Sequence, residues 1–233
     1  MTAAEEYASL PERGRRVIEN VRRHWLTTPE VVRQELAPEL TQDAVRKFLA
    51  RLAERDWLVR HMLSEQESYF LLGGRALTAL GIRRSAKPLG IQALIEHFAV
   101  LLACARGGCA LITEDEFRSQ FPELCEPGQS AKHFFVDSSV DPPRLGLFVV
   151  DHDKLSTRLV QKVRRRVARM MQADRPALHR LILDGELSVC VLTATDGKRA
   201  NVEAAFARKP HRSVPVSVEV LLDLEPFFLV NRR

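Results

Sequence analysis

Two sets of residues in this chain have the types and spacing to do chemistry. The first is Thr41, Gln42, Arg46, Lys47 and Arg51, polar and cationic side chains interleaved with Val45, Phe48, Leu49 and Leu52. The apolar four follow i, i+3, i+4, i+7, so they make one side of a helix and the polar set makes the other. A helix of this kind fits the major groove of DNA, where Gln pairs with adenine and Arg with guanine. Gln42 and Arg46 are therefore candidate base readers, with Lys47 and Arg51 as phosphate contacts. The second set is acidic: Asp137, Asp151 and Asp153. Carboxylates at neighbouring strand ends can hold a divalent cation for phosphodiester hydrolysis.

The elements that must position the first set are legible around it. Pro11 precedes a stripe of Val17, Ile18, Val21 and Trp25 at helical spacing. Thr28-Pro29-Glu30 starts a second, short helix carrying Val31, Val32 and Leu36, which Pro38 stops. Thr41 caps the third helix. Leu58 to Met62 and Ser68 to Leu72 are strand-like runs joined by the polar turn Ser64-Glu65-Gln66-Glu67. Helix, helix, recognition helix and two-stranded wing is the order of a winged helix-turn-helix. Glu65 and Glu67 at the wing tip would repel phosphates. A small-residue helix ending at Gly81 closes the module, which gives a DNA-binding domain over 1–82 and a linker over 83–90.

Residues 91–233 read as an α/β domain. A helix from Ile91 to Ala105 is followed by strands Cys109 to Ile112, His133 to Asp137 and Leu145 to Asp151. A long helix from Leu155 to Met171, a strand from Ser188 to Thr193, a helix from Asp196 to Arg208 and a strand from Val214 to Val220 complete it. The fold class is thus α+β and α/β, and the order α, β, β, β, α, β resembles the restriction-endonuclease-like, PD-(D/E)xK, core. That core needs an acid on one strand and an acid-x-Lys on the next. Asp137 and Asp151 stand at the acidic positions, but Asp153 occupies the place of the lysine. Lys154 comes one residue later and would face the other way; Lys162 is the next basic candidate.

Tyr69-Phe70-Leu71-Leu72 running on to Ala79-Leu80-Gly81, His97, Phe148-Val149-Val150-Asp151-His152-Asp153, and Val191-Leu192-Thr193 with Lys198-Arg199-Ala200 carry a further resemblance. In this order they resemble the replication-relaxation family of plasmid and mobile-element proteins, a winged helix followed by a degenerate nuclease-like domain. The resemblance implies DNA-associated work in replication, mobilisation or their control, without established catalysis. Many members have Glu-x-Asp where this chain has Asp-His-Asp.

The helix after Asp153 has its own chemistry. Leu155, Leu159, Val163, Val167 and Met170 form one face. Lys154, Arg158, Lys162, Arg165 and Arg169 form a basic stripe uninterrupted by any acid up to Gln172. It is a second candidate surface for backbone phosphates.

Composition narrows the classes. A net charge of +5 and a pI near 9.3 favour a polyanionic partner. No apolar run reaches the ~18 residues of a membrane span, and the first sixteen residues lack a signal peptide's apolar core. A cytoplasmic protein with no membrane partner is expected. Cys104, Cys109, Cys125 and Cys190 then read as reduced thiols, without zinc-knuckle spacing. No metal site, cofactor motif or phosphate-binding glycine loop is present, and His97 reads as a core histidine. His152 alternates away from its flanking acids. Three functions follow, in the order the residues favour them. The first is a non-enzymatic, sequence-specific binder of double-stranded DNA, acting as a homodimer in transcriptional regulation or in plasmid or mobile-element replication or transfer. The second is a metal-dependent DNA nuclease using Asp137, Asp151 and Asp153. The third is a protein-binding adaptor.

Overall fold

A computed structural model describes residues 2–122, 133–138, 140–141, 143–152, 156–172, 176–208 and 214–230. The protein is a mixed α+β chain of two compact units, 1–105 and 106–233.

In the first unit, α1 (Ala3–Ala8) leads into α2 (Glu12–His24), which buries Val17, Ile18 and Val21 as its periodicity requires. Trp25 does not extend the helical stripe as expected. It is the residue that ends α2, with φ at 73°, and is only half-buried. Thr28 accepts a hydrogen bond from the Val31 amide and caps α3 (Pro29–Val31), which widens into a π-turn over Val32–Leu36. Thr41 accepts from the Ala44 amide at 3.2 Å and caps α4 (Gln42–Glu54). The α4 face made of Val45, Leu49 and Leu52 is buried with the α2 residues, Trp57 and Phe70 in one core.

β1 (Leu58–Met62) and β2 (Ser68–Leu72) pair antiparallel, Leu58 opposite Leu72 and Met62 opposite Ser68. Thr27, between α2 and α3, adds an isolated antiparallel bridge to Phe70. That third strand segment is a single residue long, too short to leave an alternation in the sequence. α5 (Gly74–Ala79) is seated by Asp56, whose carboxylate accepts from the Gly74 and Arg75 amides at 3.1 and 3.2 Å. Gly73 is needed at this junction: a Cβ there would lie 2.2 Å from the Asp56 carbonyl oxygen.

The segment read as a linker, 83–90, is tied back onto the first unit. The Arg84 guanidinium lies 3.8 Å from the centre of the Trp25 ring and donates to the Arg22 carbonyl. The Leu89 amide donates to the Tyr69 hydroxyl, and His61 Nε2 lies 3.0 Å from the Ala86 carbonyl oxygen. Trp25 also stacks on His97, with centroids 4.8 Å apart. His97 belongs to α6 (Ile91–Gly107), which is buried along most of its length. The division between units accordingly falls near the end of α6 and not at 83–90.

The second unit is built on one five-stranded sheet in sequence order: β3 (Ala110–Leu111), β4 (Phe134–Asp137), β5 (Arg144–Val150), β6 (Leu187–Thr193) and β7 (Val216–Val220). β4 is antiparallel to both neighbours, while β5, β6 and β7 run parallel. α7 (Glu114–Gln120), capped by Thr113, links β3 to the segment before β4. α8 (Ser156–Gln172) and α9 (Pro176–Leu183) connect β5 to β6, and α10 (Asp196–Ala207) connects β6 to β7. Leu147 and Val149 of β5 and Val189 and Val191 of β6 pack with Leu159, Val163 and Val167 of α8 and Val202 of α10. The intervening residues Phe148, Val150, Cys190 and Leu192 are buried on the opposite face. Gly146 is required where Phe135 crosses β5, because a Cβ would meet that ring at 2.1 Å. A 3₁₀ turn (Leu222–Leu224) and α11 (Glu225–Val230) follow β7. Among the described residues, no helix is long and apolar enough to cross a membrane.

Candidate nucleic-acid interface

Helix α4 presents Arg46, Lys47 and Arg51 to solvent, opposite its buried apolar face. Gln42 differs from the expectation. At 100° per residue it lies on the flank of the helix, nearer Val45 and Leu49 than Lys47 is. It is half-buried, and its Oε1 is enclosed without a hydrogen-bond partner. Thr41 spends its hydroxyl on the cap. Lys47 is paired with Asp43 one turn earlier, at 2.8 Å, but both side chains are largely exposed. An exposed pair of this kind contributes little to stability, so Lys47 can exchange Asp43 for a phosphate at small cost. Glu54 is also exposed at the far end of α4. The face therefore carries three cations and two acids, and its chemistry depends on where each side chain stands more than on bulk charge.

The hairpin beyond α4 keeps its acidic tip: Glu65 and Glu67 are exposed, with the Ser64 hydroxyl accepting from the Gln66 and Glu67 amides. Lower down, Arg60 is held by a 2.8 Å hydrogen bond to the Ser68 hydroxyl.

The acidic set of the second unit is dispersed. In the antiparallel β4–β5 pair Asp137 lies opposite Arg144, the first residue of β5. Asp151 follows the last residue of β5, seven residues on, which at ~3.3 Å per residue puts it roughly 20 Å from Asp137 along the sheet. The expectation that these two carboxylates share a metal is corrected by that register. The sequence places both at strand ends, but antiparallel pairing sends the ends of these two adjacent strands in opposite directions along the sheet. Asp153 and Lys154 lie outside the described residues. Among the described residues, no cluster of three or more His, Cys, Asp and Glu side chains could hold a metal ion.

Asp151 has a different partner. It is 4% exposed, its amide donates to the Leu192 carbonyl, and Lys198 Nζ lies 3.3 Å from its carboxylate. Thr195 caps α10 by accepting from the Lys198 amide, which brings Lys198 to the ends of β5 and β6. The sequence shows Lys198 in a strand-helix unit but not this pairing. The signal it does hold is Thr195, an N-cap three residues before the lysine. The ion pair neutralises a buried carboxylate.

Three of the four cations expected to contact backbone phosphates from α8, Arg158, Lys162 and Arg165, are exposed. The side chain of Arg169 lies outside the described residues, as does Cys125. Burial pushes the Cys190 thiol up to about 12. Burial also raises the nearby Glu219 carboxyl, against the lowering effect of Arg106. His24 behaves oppositely. Burial, assisted by Arg23, holds it down to about 4, so it is neutral in the core of the first unit.

Comparison with family models, curated proteins and solved structures finds no match.

Proposed function

We propose that this chain is a non-enzymatic, sequence-specific binder of double-stranded DNA, reading its site with α4 and acting as a homodimer. The observation that carries the reading is the chain order of the first unit. α2, the Thr27 bridge, α3, α4 and the β1–β2 hairpin follow one another as in a winged helix-turn-helix, and α4 turns Arg46, Lys47 and Arg51 outward. A helix so mounted can enter a major groove with residues of its first turns at base edges. Arg46 is the side chain best suited to a guanine edge. Lys47 and Arg51 suit phosphates, and Gln42 can reach an adenine only by leaving its present enclosure.

The second unit supports the same reading. The succession β3, β4, β5, α8, β6 agrees with the nuclease-like core that the sequence resembles. The distance between Asp137 and Asp151 supports a core without catalytic work. A role in transcriptional control or in plasmid or mobile-element replication or transfer, as the replication-relaxation resemblance implies, fits a DNA-binding chain of this kind.

Single substitutions in α4 test the assignment. Arg46→Ala is expected to weaken the preferred duplex by roughly 10- to 100-fold, the worth of one good base contact, and to relax preference at one position. Lys47→Ala should weaken all duplexes alike. If both variants, folded, bind every duplex as the parent does, α4 is not the reading element.

A further inference from the structure

The geometry points to α8 as a second contact with the phosphate backbone of duplex DNA, an inference that rests on the reading of the chain as a duplex binder. α8 holds six Lys and Arg and no Asp or Glu. The whole chain holds 35 of the former and 30 of the latter, so without α8 it would be net −1. The charge of this one helix thus exceeds the net charge of the whole chain.

Arg158, Lys162 and Arg165 stand at i, i+4 and i+7 and are all exposed, a row spanning about 10 Å at 1.5 Å per residue. Arg158 and Lys162 have no ion-pair partner among the described residues. Like charges four apart on a helix repel, and nothing within α8 offsets this. What holds the helix is its other side: Leu159, Val163 and Val167 are at most 1% exposed in the core of the second unit. That commitment also decides between ligands. A basic amphipathic helix binds a lipid surface by burying its apolar face among the headgroups, and here that face is already occupied. The cations remain, and a phosphate backbone is the polyanion they suit. Such contacts position a protein on DNA and carry no sequence information.

The full chain carrying Arg158→Gln, Lys162→Gln and Arg165→Gln tests this, with affinity for a random-sequence duplex followed against salt. Each phosphate contact contributes about 0.9 to the slope of log affinity on log salt. The triple variant should flatten that slope by roughly two to three per subunit. It should keep the parent's site preference, and Arg158→Lys with Arg165→Lys should retain the slope. An unchanged slope in the folded triple variant, with Arg46→Ala still relaxing preference, would overturn the inference and leave the α4 reading standing. A slope that flattens although Arg46→Ala changes nothing would keep α8 and remove α4. A parent that binds no duplex at low salt would overturn both.

Discussion

Helix α4 of the first unit and helix α8 of the other follow the same pattern: each buries an aliphatic stripe and turns cations to water. They differ in what surrounds the charge. On α4 three cations share the exposed face with Asp43 and Glu54, and Lys47 is paired with Asp43. α8 has six cations and no acid. A face with mixed charge has little net attraction for a polyanion, so its use depends on a few side chains meeting complementary groups. A face of one sign attracts any polyanion and discriminates little among sequences. On the proposed reading, the same amphipathic rule yields one surface for reading and another for holding.

Removing the buried side of each helix is expected to have the largest effects. Leu49 of α4 and Val163 of α8 are both essentially inaccessible. Leu49→Ala should cost about 4 kcal/mol and Val163→Ala about 2 kcal/mol, the difference being the methyl groups lost and the cavity left. The two tryptophans, Trp25 and Trp57, both lie in the first unit, so tryptophan fluorescence in urea follows that unit. Leu49→Ala should shift this transition. Val163→Ala should act on the circular-dichroism transition of the second unit. A fluorescence midpoint moved equally by both would erase the distinction between the two regions as separate bodies.

Acid sharpens the contrast further. His24 titrates near 6.5 when unfolded and is held down to about 4 by burial in the first unit. Between those values the unfolded chain binds the extra proton. Stability from this group is then complete above pH 6.5 and is lost as pH falls towards 4, with no further loss below. The total is roughly 3–4 kcal/mol, because a tenfold change in proton affinity is worth about 1.4 kcal/mol. His24→Leu should flatten the pH dependence of the fluorescence transition over that range. An unaltered dependence would assign the acid loss to other groups.

Much of this organisation is legible in the sequence because it rests on local rules. Thr28 and Thr41 are capping residues and do cap. The apolar runs of β5 and β6, strands buried on both faces, and the 3.6-residue stripe of α8 mark those elements nearly at their bounds. What cannot be read depends on pairing across the chain. No sequence pattern says that Asp137 and Asp151 come at opposite ends of two paired strands, because direction and register are set by which residues face each other. The bridge from Thr27 to Phe70 is likewise a single-residue contact. The docking of 83–90 rests on Arg84, Trp25 and His97, which are distant in sequence and ordinary in type. α9 leaves no clear signal because eight residues are too few to establish a period.

The most direct test of the central claim, that the chain reads duplex sequence, is selection of bound fragments from a random duplex library by the purified protein, followed by sequencing. The expected result is a recurrent motif in two related half-sites about one helical turn apart, as two copies of a major-groove helix would require. Sequences indistinguishable from the input library, obtained with folded protein at moderate salt, would contradict it.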